Sequence, residues 1–510
     1  MSDHAADARS PRFPIVSAAV NKVLFVASEC YPLVKTGGLA DVIGALPLAL
    51  AGDGVDARVL LPAYPEVCER LTEAEALPLP GGKVLGQDGR LLAATTEEGL
   101  KVWALDVPAF FARVGNPYVG PNGHDWPDNH LRFAALSRVA ADIAAQGVGR
   151  WRPQLLHIHD WQAGLVPAYL SADEIDLPTL FTIHNIAFQG VFPAAEITRL
   201  GLPGRYYHRD LTEFWGQISF LKAGIAMSSK VSTVSPTYAR ELESAEFGWG
   251  LDGLIRHRQA DMCGILNGID AGVWDPANDP LIAAPYSAEK PAAKARNKEA
   301  LQERLGLEKD SEAPLFCVVS RLTQQKGMDL LLENLPQLLW RGGQLAVLGS
   351  GEADLEAGFR EAAFNNPGRV ATVIGYNEPL SHLLQAGADA IVIPSRYEPC
   401  GLTQLYGLRY GTLPLVSRTG GLADTIIDAN AAAVQAGTAT GFQFAPVTPE
   451  RLRHTLDRAF DLWGDRKAWR AARRAAMQTD FGWSASARLY RNLYRRMLKE
   501  ARQKKMGETR

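Results

Sequence analysis

Two short stretches of this 510-residue sequence carry the same six residues, Thr-Gly-Gly-Leu-Ala-Asp, at 36–41 and at 419–424. A cation stands directly before each, Lys35 and Arg418, and each leads into an apolar helical pattern. Glycine lets a backbone turn tightly and approach a ligand closely, and a helix starting behind it presents N–H groups and a positive dipole end to an anion. A packing loop that needs two glycines looks the same, so one copy alone would be weak. Two copies near the heads of two chain halves imply two similar α/β domains with a phosphorylated ligand between them.

The densest chemistry lies at Ser395-Arg-Tyr-Glu398-Pro-Cys400-Gly-Leu-Thr403. A strand ends at Ile393-Pro394, an acid sits in the loop, and a helix begins near Gly401. A carboxylate there suits sugar hydroxyls beside a phosphate; the alternative is that Glu398 caps the helix. Arg321 and Lys326 follow a neighbouring strand end, which would make a cationic pocket facing the first glycine loop. His159, Asp160, His184 and Asn185 also follow strand ends, where open α/β sheets bind ligands. The His-x-His-Asp group at 157–160 could suggest a metal, but no third ligand is spaced for it, and no metal is expected.

The elements that must carry these groups read as buried parallel strands alternating with helices. Strands are expected at 23–28, 57–62, 102–106, 155–159, 180–183 and 231–234, then at 315–320, 344–348, 370–374, 390–394 and 413–417. Helices are expected at 39–50, 212–229, 449–462, 465–479 and 484–505, the last presenting Leu489, Leu493 and Met497 on one face. Residues 110–133 read as a long ordered loop whose Phe110, Tyr118 and Trp126 could stack on sugar rings or simply pack. The Pro- and Ala-rich stretch 276–296 reads as a linker.

Composition narrows the partners. The chain is 47% hydrophobic and 21% charged, with a net charge of −3, so nothing in it calls for nucleic acid or a membrane surface. Five cysteines without a C-x-x-C spacing fit reduced thiols in a cytoplasmic protein. Residues 1–20 lack a long apolar segment and read as a disordered lead-in.

Taken together, Lys35-Thr-Gly-Gly-Leu, His159-Asp-Trp, His184-Asn-Ile, Asn267-Gly-Ile-Asp270, Arg321-Leu-Thr-x-Gln-Lys326-Gly and Glu398-Pro-Cys-Gly-Leu-Thr403 resemble the bacterial glycogen synthases and the plant starch synthases, over about 21–500. The resemblance implies a GT-B fold: two Rossmann-like domains, at 21–270 and 271–480, facing across a deep cleft, with a C-terminal helix at 481–510 packing on the first. It implies a retaining transfer of glucose from ADP-glucose to the non-reducing end of an α-1,4-glucan, with no cofactor and no metal. Arg321 and Lys326 would hold the diphosphate, with Lys35 and the Gly38 backbone closing over it and Asp41 and Asn267 nearby. Glu398 would bind donor hydroxyls and support charge at the reacting carbon. Cys400, Gly401, Leu402 and Thr403 would hold sugar and phosphate at the helix start. His184 would line the donor pocket, Asp160 the acceptor side, and Tyr376 would stack on adenine.

Overall fold

The computed structural model describes residues 22–508, so the lead-in expected at 1–20 lies outside the described residues. Within them, nine of the twelve strands between Lys22 and Gly264 form one sheet, and Val191–Pro193, Gln217–Ser219 and Glu213–Phe214 form a small antiparallel one. The order of the large sheet is Met262–Gly264, Lys230–Thr233, Thr179–Ile183, Leu155–His159, Lys22–Val26, Asp56–Pro62, Lys101–Asp106, Arg90–Thr95, Glu75–Pro78. All neighbours are parallel except the last two pairs. The central strands Leu155–His159 and Thr179–Ile183 are buried at every position, as they must be with both faces covered by helices.

A second sheet has the order Val370–Ile374, Gln344–Gly349, Leu315–Val319, Ala390–Ile393, Leu413–Ser417, Phe442–Phe444, parallel throughout. Counted from its first strand this is 3-2-1-4-5-6, the doubly wound Rossmann order. Such a sheet opens a crevice where the strand order reverses, here beyond Val319 and Ile393. The first sheet reverses in the same way at Lys22–Val26, which lies between strands Asp56–Pro62 and Leu155–His159. Two Rossmann-like domains thus face each other across a cleft, the GT-B arrangement, and the carboxyl ends of both reversal points open into it.

The last helix, Trp483–Glu508, returns to the first sheet. Tyr490, Leu493, Tyr494, Met497 and Leu498 belong to the first hydrophobic core. Ser486 Oγ donates to the Leu266 carbonyl at 2.6 Å, and Arg491 lies 3.1 Å from the Asp53 carboxylate. Leu489, expected on the buried stripe, is 54% exposed. The stripe is centred one residue later, because the large rings of Tyr490 and Tyr494 take the inner face.

Three other expectations are corrected. The helix expected over 212–229 begins only at Phe220. The Ser219 side chain caps it, and an antiparallel turn at Trp215-Gly216 precedes it, between Glu213–Phe214 and Gln217–Ser219. The loop expected over 110–133 gives way at Asn129 to a long helix, Asn129–Gln146. The expected linker 276–296 is held to the second domain: Asp279 is buried against His382 and Tyr410, and Tyr286 Oη donates to the Tyr410 carbonyl.

Candidate active site

The cleft between the two sheets has a volume of about 1380 Å³. That exceeds the roughly 300–1,000 Å³ typical of a small-ligand pocket, so it can hold a nucleotide-sized ligand and the end of a second substrate together. Lys35, Gly38, Asp41, Asp160, His184, Asn267, Arg321, Lys326, Tyr376, Glu398 and Cys400 to Thr403 all line it.

From the second domain, Lys326 Nζ lies 2.5 Å from Glu398 Oε2, and Ser395 Oγ donates to the same oxygen at 3.0 Å. Glu398 is buried and Lys326 half-buried. A desolvated ion pair of this kind is strong only while both members stay together, so an arriving anion would compete with Glu398 for the lysine. Arg321 is exposed and held loosely by the Gln325 side chain at 3.3 Å. The Glu398 loop does not cap the helix Thr403–Tyr410 with its carboxylate. Instead, Gln404 Nε2 donates to the carbonyls of Cys400 and Gly401 at 2.9 and 3.0 Å, fixing the turn that leads into the helix. Burial pushes the Cys400 thiol up to about 12, so it enters the site neutral and not as a thiolate.

From the first domain, Lys35 Nζ pairs with Asp41 at 2.7 Å. The glycine loop departs from its expected form. Its first amides are not free for an anion, because the Glu29 carboxylate accepts from Thr36 N at 2.5 Å, Thr36 Oγ1 at 2.6 Å and Gly37 N at 3.1 Å. Tyr118 Oη also donates to Glu29, so this ring serves the loop. Phe110 is buried in the core, and Trp126 lies under the guanidinium of Arg113. The helix amides left open begin at Gly38. A methyl group at Gly38 would sit 3.7 Å from the Leu402 side chain of the other domain, so the first glycine loop and the Cys400–Thr403 segment already approach across the cleft.

Asp160 follows strand Leu155–His159 in a left-handed turn (φ 54°) and accepts from His184 N at 2.7 Å. Burial pushes its carboxyl up to about 7, against the pull of the His184 and Asn185 amides. Burial also holds His184 down to about 3, so its ring is neutral and its Nε2 meets His159 Nδ1 at 3.0 Å. His157 and His159 do share a face, with ring centroids 4.1 Å apart. The nitrogens of His157 are taken by Tyr494 Oη at 2.7 Å and Thr182 Oγ1 at 2.6 Å. Among the described residues no three His, Cys, Asp or Glu side chains gather in a metal-binding group. Asn267 is buried at the cleft wall with its side-chain oxygen free of any protein partner. Tyr376 is 79% exposed at the cleft mouth, its hydroxyl donating to Glu378 at 2.8 Å.

Residues 22–257 match the family model described as the starch synthase catalytic domain, and residues 300–476 match glycosyl transferases group 1. A glycogen synthase of Roseobacter denitrificans is 56% identical over 94% of this chain and 99% of its own length. A glycogen synthase of Rhodopseudomonas palustris is 52% identical with the same coverage. The chain belongs to the glycogen and starch synthase family of glycosyltransferases. Among solved structures, the catalytic domain of starch synthase IV from Arabidopsis thaliana, bound to ADP and acarbose, is similar with a TM-score of 0.84 and 32% identity. That likeness covers 94% of this chain and all of the other.

Several residues that build the site carry no local sequence signal. Glu29 could have been singled out as a polar residue at a strand end, like His159 and His184. Gln404 and Trp274 could not. Trp274 stacks on Tyr406 with ring centroids 3.8 Å apart and on His382 at the same distance, so Tyr406 serves the cleft wall as a packed ring.

Proposed function

We propose that this chain is a retaining glucosyltransferase that moves glucose from ADP-glucose to the non-reducing end of an α-1,4-glucan and releases ADP. The observation that carries the reading is the Lys326–Glu398 pair at the reversal point of the second sheet, facing the Lys35 loop of the first. The names of the full-length relatives and the ADP and acarbose of the similar starch synthase support the choice of donor and acceptor.

Breaking the bond from glucose to the diphosphate puts positive character on the reacting carbon and negative charge on the leaving phosphate. Two of the site's three basic groups are held by acids, Lys326 by Glu398 and Lys35 by Asp41, while Arg321 meets only the Gln325 side chain. With donor bound, Lys326 and Arg321 turn to the diphosphate from one wall, and Lys35 and the Gly38 amide turn to it from the other. Glu398 is then left for the sugar hydroxyls and the charge growing beside them, and the Cys400–Thr403 amides hold sugar and phosphate at the helix start. The neutral His184 ring hydrogen-bonds the donor sugar, and Asn267 supplies its unpaired oxygen nearby. Asp160 faces the acceptor, and Tyr376 stacks on the base. The acceptor hydroxyl attacks from the face the phosphate leaves, and the phosphate takes its proton. Preorganised cations and amides gain strength as this charge develops, and closure of the domains keeps water from the activated sugar. The cytoplasm, where free thiols persist, fits the five cysteines.

Nucleotide release from ADP-glucose and from UDP-glucose, with and without glycogen, tests the reading. Glycogen-dependent ADP release is expected, with UDP release far slower. Glu398→Gln and Lys326→Ala should each lower turnover ~10²–10³-fold while the protein stays folded. Near wild-type turnover in either variant would remove that residue from its role.

A further inference from the structure

Two tryptophans in this chain stand where tryptophan is least at ease. Trp215 and Trp249 both adopt left-handed backbone (φ 50° in each), a region that favours glycine and is costly for a bulky side chain. Both also leave their rings in solvent, 81% and 53% exposed. An exposed indole on a strained backbone gains nothing for the fold in return.

The strain is held in place by specific bonds. The Glu213 carboxylate accepts from Gly216 N at 2.8 Å, closing the turn that carries Trp215. Lys222 donates to the carbonyls of Arg209 and Glu213 from behind. Gln189 Nε2 donates to the Trp249 carbonyl at 2.9 Å, tying Trp249 to the segment that carries Phe188, itself 57% exposed. The two turns touch, since a methyl group at Gly250 would lie 3.4 Å from the Phe214 ring and 3.5 Å from the Trp215 indole nitrogen. Phe188, Phe214 and Trp249 line the cleft, and the exposed Trp215 ring lies 6.4 Å from that of Phe214. The result is one aromatic strip running out of the cleft and onto the surface.

We propose that this strip binds an α-glucan chain several glucose units away from its reacting end. The proposal rests on the function given above, which places a growing glucan in the cleft. An α-1,4-glucan offers two kinds of surface, hydroxyl edges and apolar C–H faces, and the faces stack on flat aromatic rings. An apolar strip this exposed marks an interaction site, and its continuity with the cleft commits it to the part of the acceptor that leaves the cleft. A short acceptor ends inside the cleft and never reaches Trp215; a long one does.

The test compares acceptors of different length in the full-length protein. For Trp215→Ala and for Trp215→Ala/Trp249→Ala, kcat/KM is measured with maltotriose and with maltoheptaose at saturating ADP-glucose. The ratio of long to short should fall, about tenfold in the double variant, through KM for maltoheptaose. A variant that folds poorly loses both rates together, whereas an unchanged ratio with the maltotriose rate intact overturns the proposal. A second readout needs no donor. Maltoheptaose should shift the tryptophan fluorescence of the wild type, and the shift should shrink in Trp215→Phe/Trp249→Phe with weaker apparent binding than the wild type. It would persist even if the donor were not ADP-glucose, so it separates this proposal from the function beneath it. If the substitutions change only the oligomeric state seen by sedimentation, the strip is a contact between copies of the chain and the proposal fails.

Discussion

The two Thr-Gly-Gly-Leu-Ala-Asp segments share every residue and almost no surroundings. In the first, a methyl group added at Gly37 would meet nothing within 4 Å, and one at Gly38 would make an ordinary contact with Leu402. In the second, a methyl group at Gly420 would fall 1.9 Å from the Glu398 carbonyl and one at Gly421 would fall 2.2 Å from the Cys400 carbonyl. The first pair leaves room for a ligand, while the second lets protein backbone approach. Even their helix heads are filled alike: Glu29 takes the Thr36 and Gly37 amides, and Glu241 takes Thr419 Oγ1 and Gly420 N, both at 2.9 Å. The difference lies in where each glutamate comes from. Glu29 belongs to the same loop system, whereas Glu241 crosses from the first domain. Asp424 answers by accepting from Thr237 N at 2.7 Å and Thr237 Oγ1 at 2.6 Å, also across the interface. One motif thus opens on the cleft, and its twin braces the Glu398 loop and joins the domains.

Matched substitutions should separate the twins. Lys35→Ala is expected to lower kcat/KM ~10²–10³-fold, since a cation aimed at developing charge is lost, with no change in melting temperature. A comparable fall in melting temperature would make the first loop a brace as well. Gly421→Ala should destabilise the fold by about 3 kcal/mol or more, because the added methyl meets the Cys400 backbone, which cannot yield cheaply. Gly38→Ala, at the same place in the other copy, should leave thermal unfolding unchanged; equal losses would erase the contrast. The smallest effect is set by the acids. Asp424→Asn weakens the grip on Thr237 and should cost about 1–2 kcal/mol in urea unfolding. Asp41→Asn frees an exposed lysine and removes a carboxylate that competes with the diphosphate for it, so KM for the nucleotide sugar should fall by up to about fivefold while the urea midpoint stays fixed.

Much of this contrast was invisible along the chain. The glycine pairs, the acids after strand ends and the buried strands are local features, and they were readable because a parallel sheet puts polar residues at its carboxyl edge. Lys326 and Glu398 were found that way, 72 residues apart yet on adjacent strand ends. The brace could not be found, because Glu241 meets Gly420 across 179 residues and nothing in either segment specifies the other. The region 212–229 misled for a related reason. Its small residues and apolar spacing suit a helix, but Trp215-Gly216 closes a turn held by the Glu213 carboxylate and by Lys222. The stripe on the last helix was misplaced by one residue because spacing alone does not say whether Leu489 or Tyr490 faces inward.

That last helix sets a schedule for synthesis. The His157 ring, at the centre of the first sheet, completes its hydrogen bonds with Tyr494, made 337 residues later. At translation rates of roughly 5–20 residues per second, His157 waits roughly 20–70 s for that partner. During that interval the second domain can emerge whole and fold on its own sheet, while the face awaiting Tyr490, Tyr494 and Met497 stays uncovered. A ribosome that stops short of residue 483 therefore leaves unfinished the half of the molecule it made first.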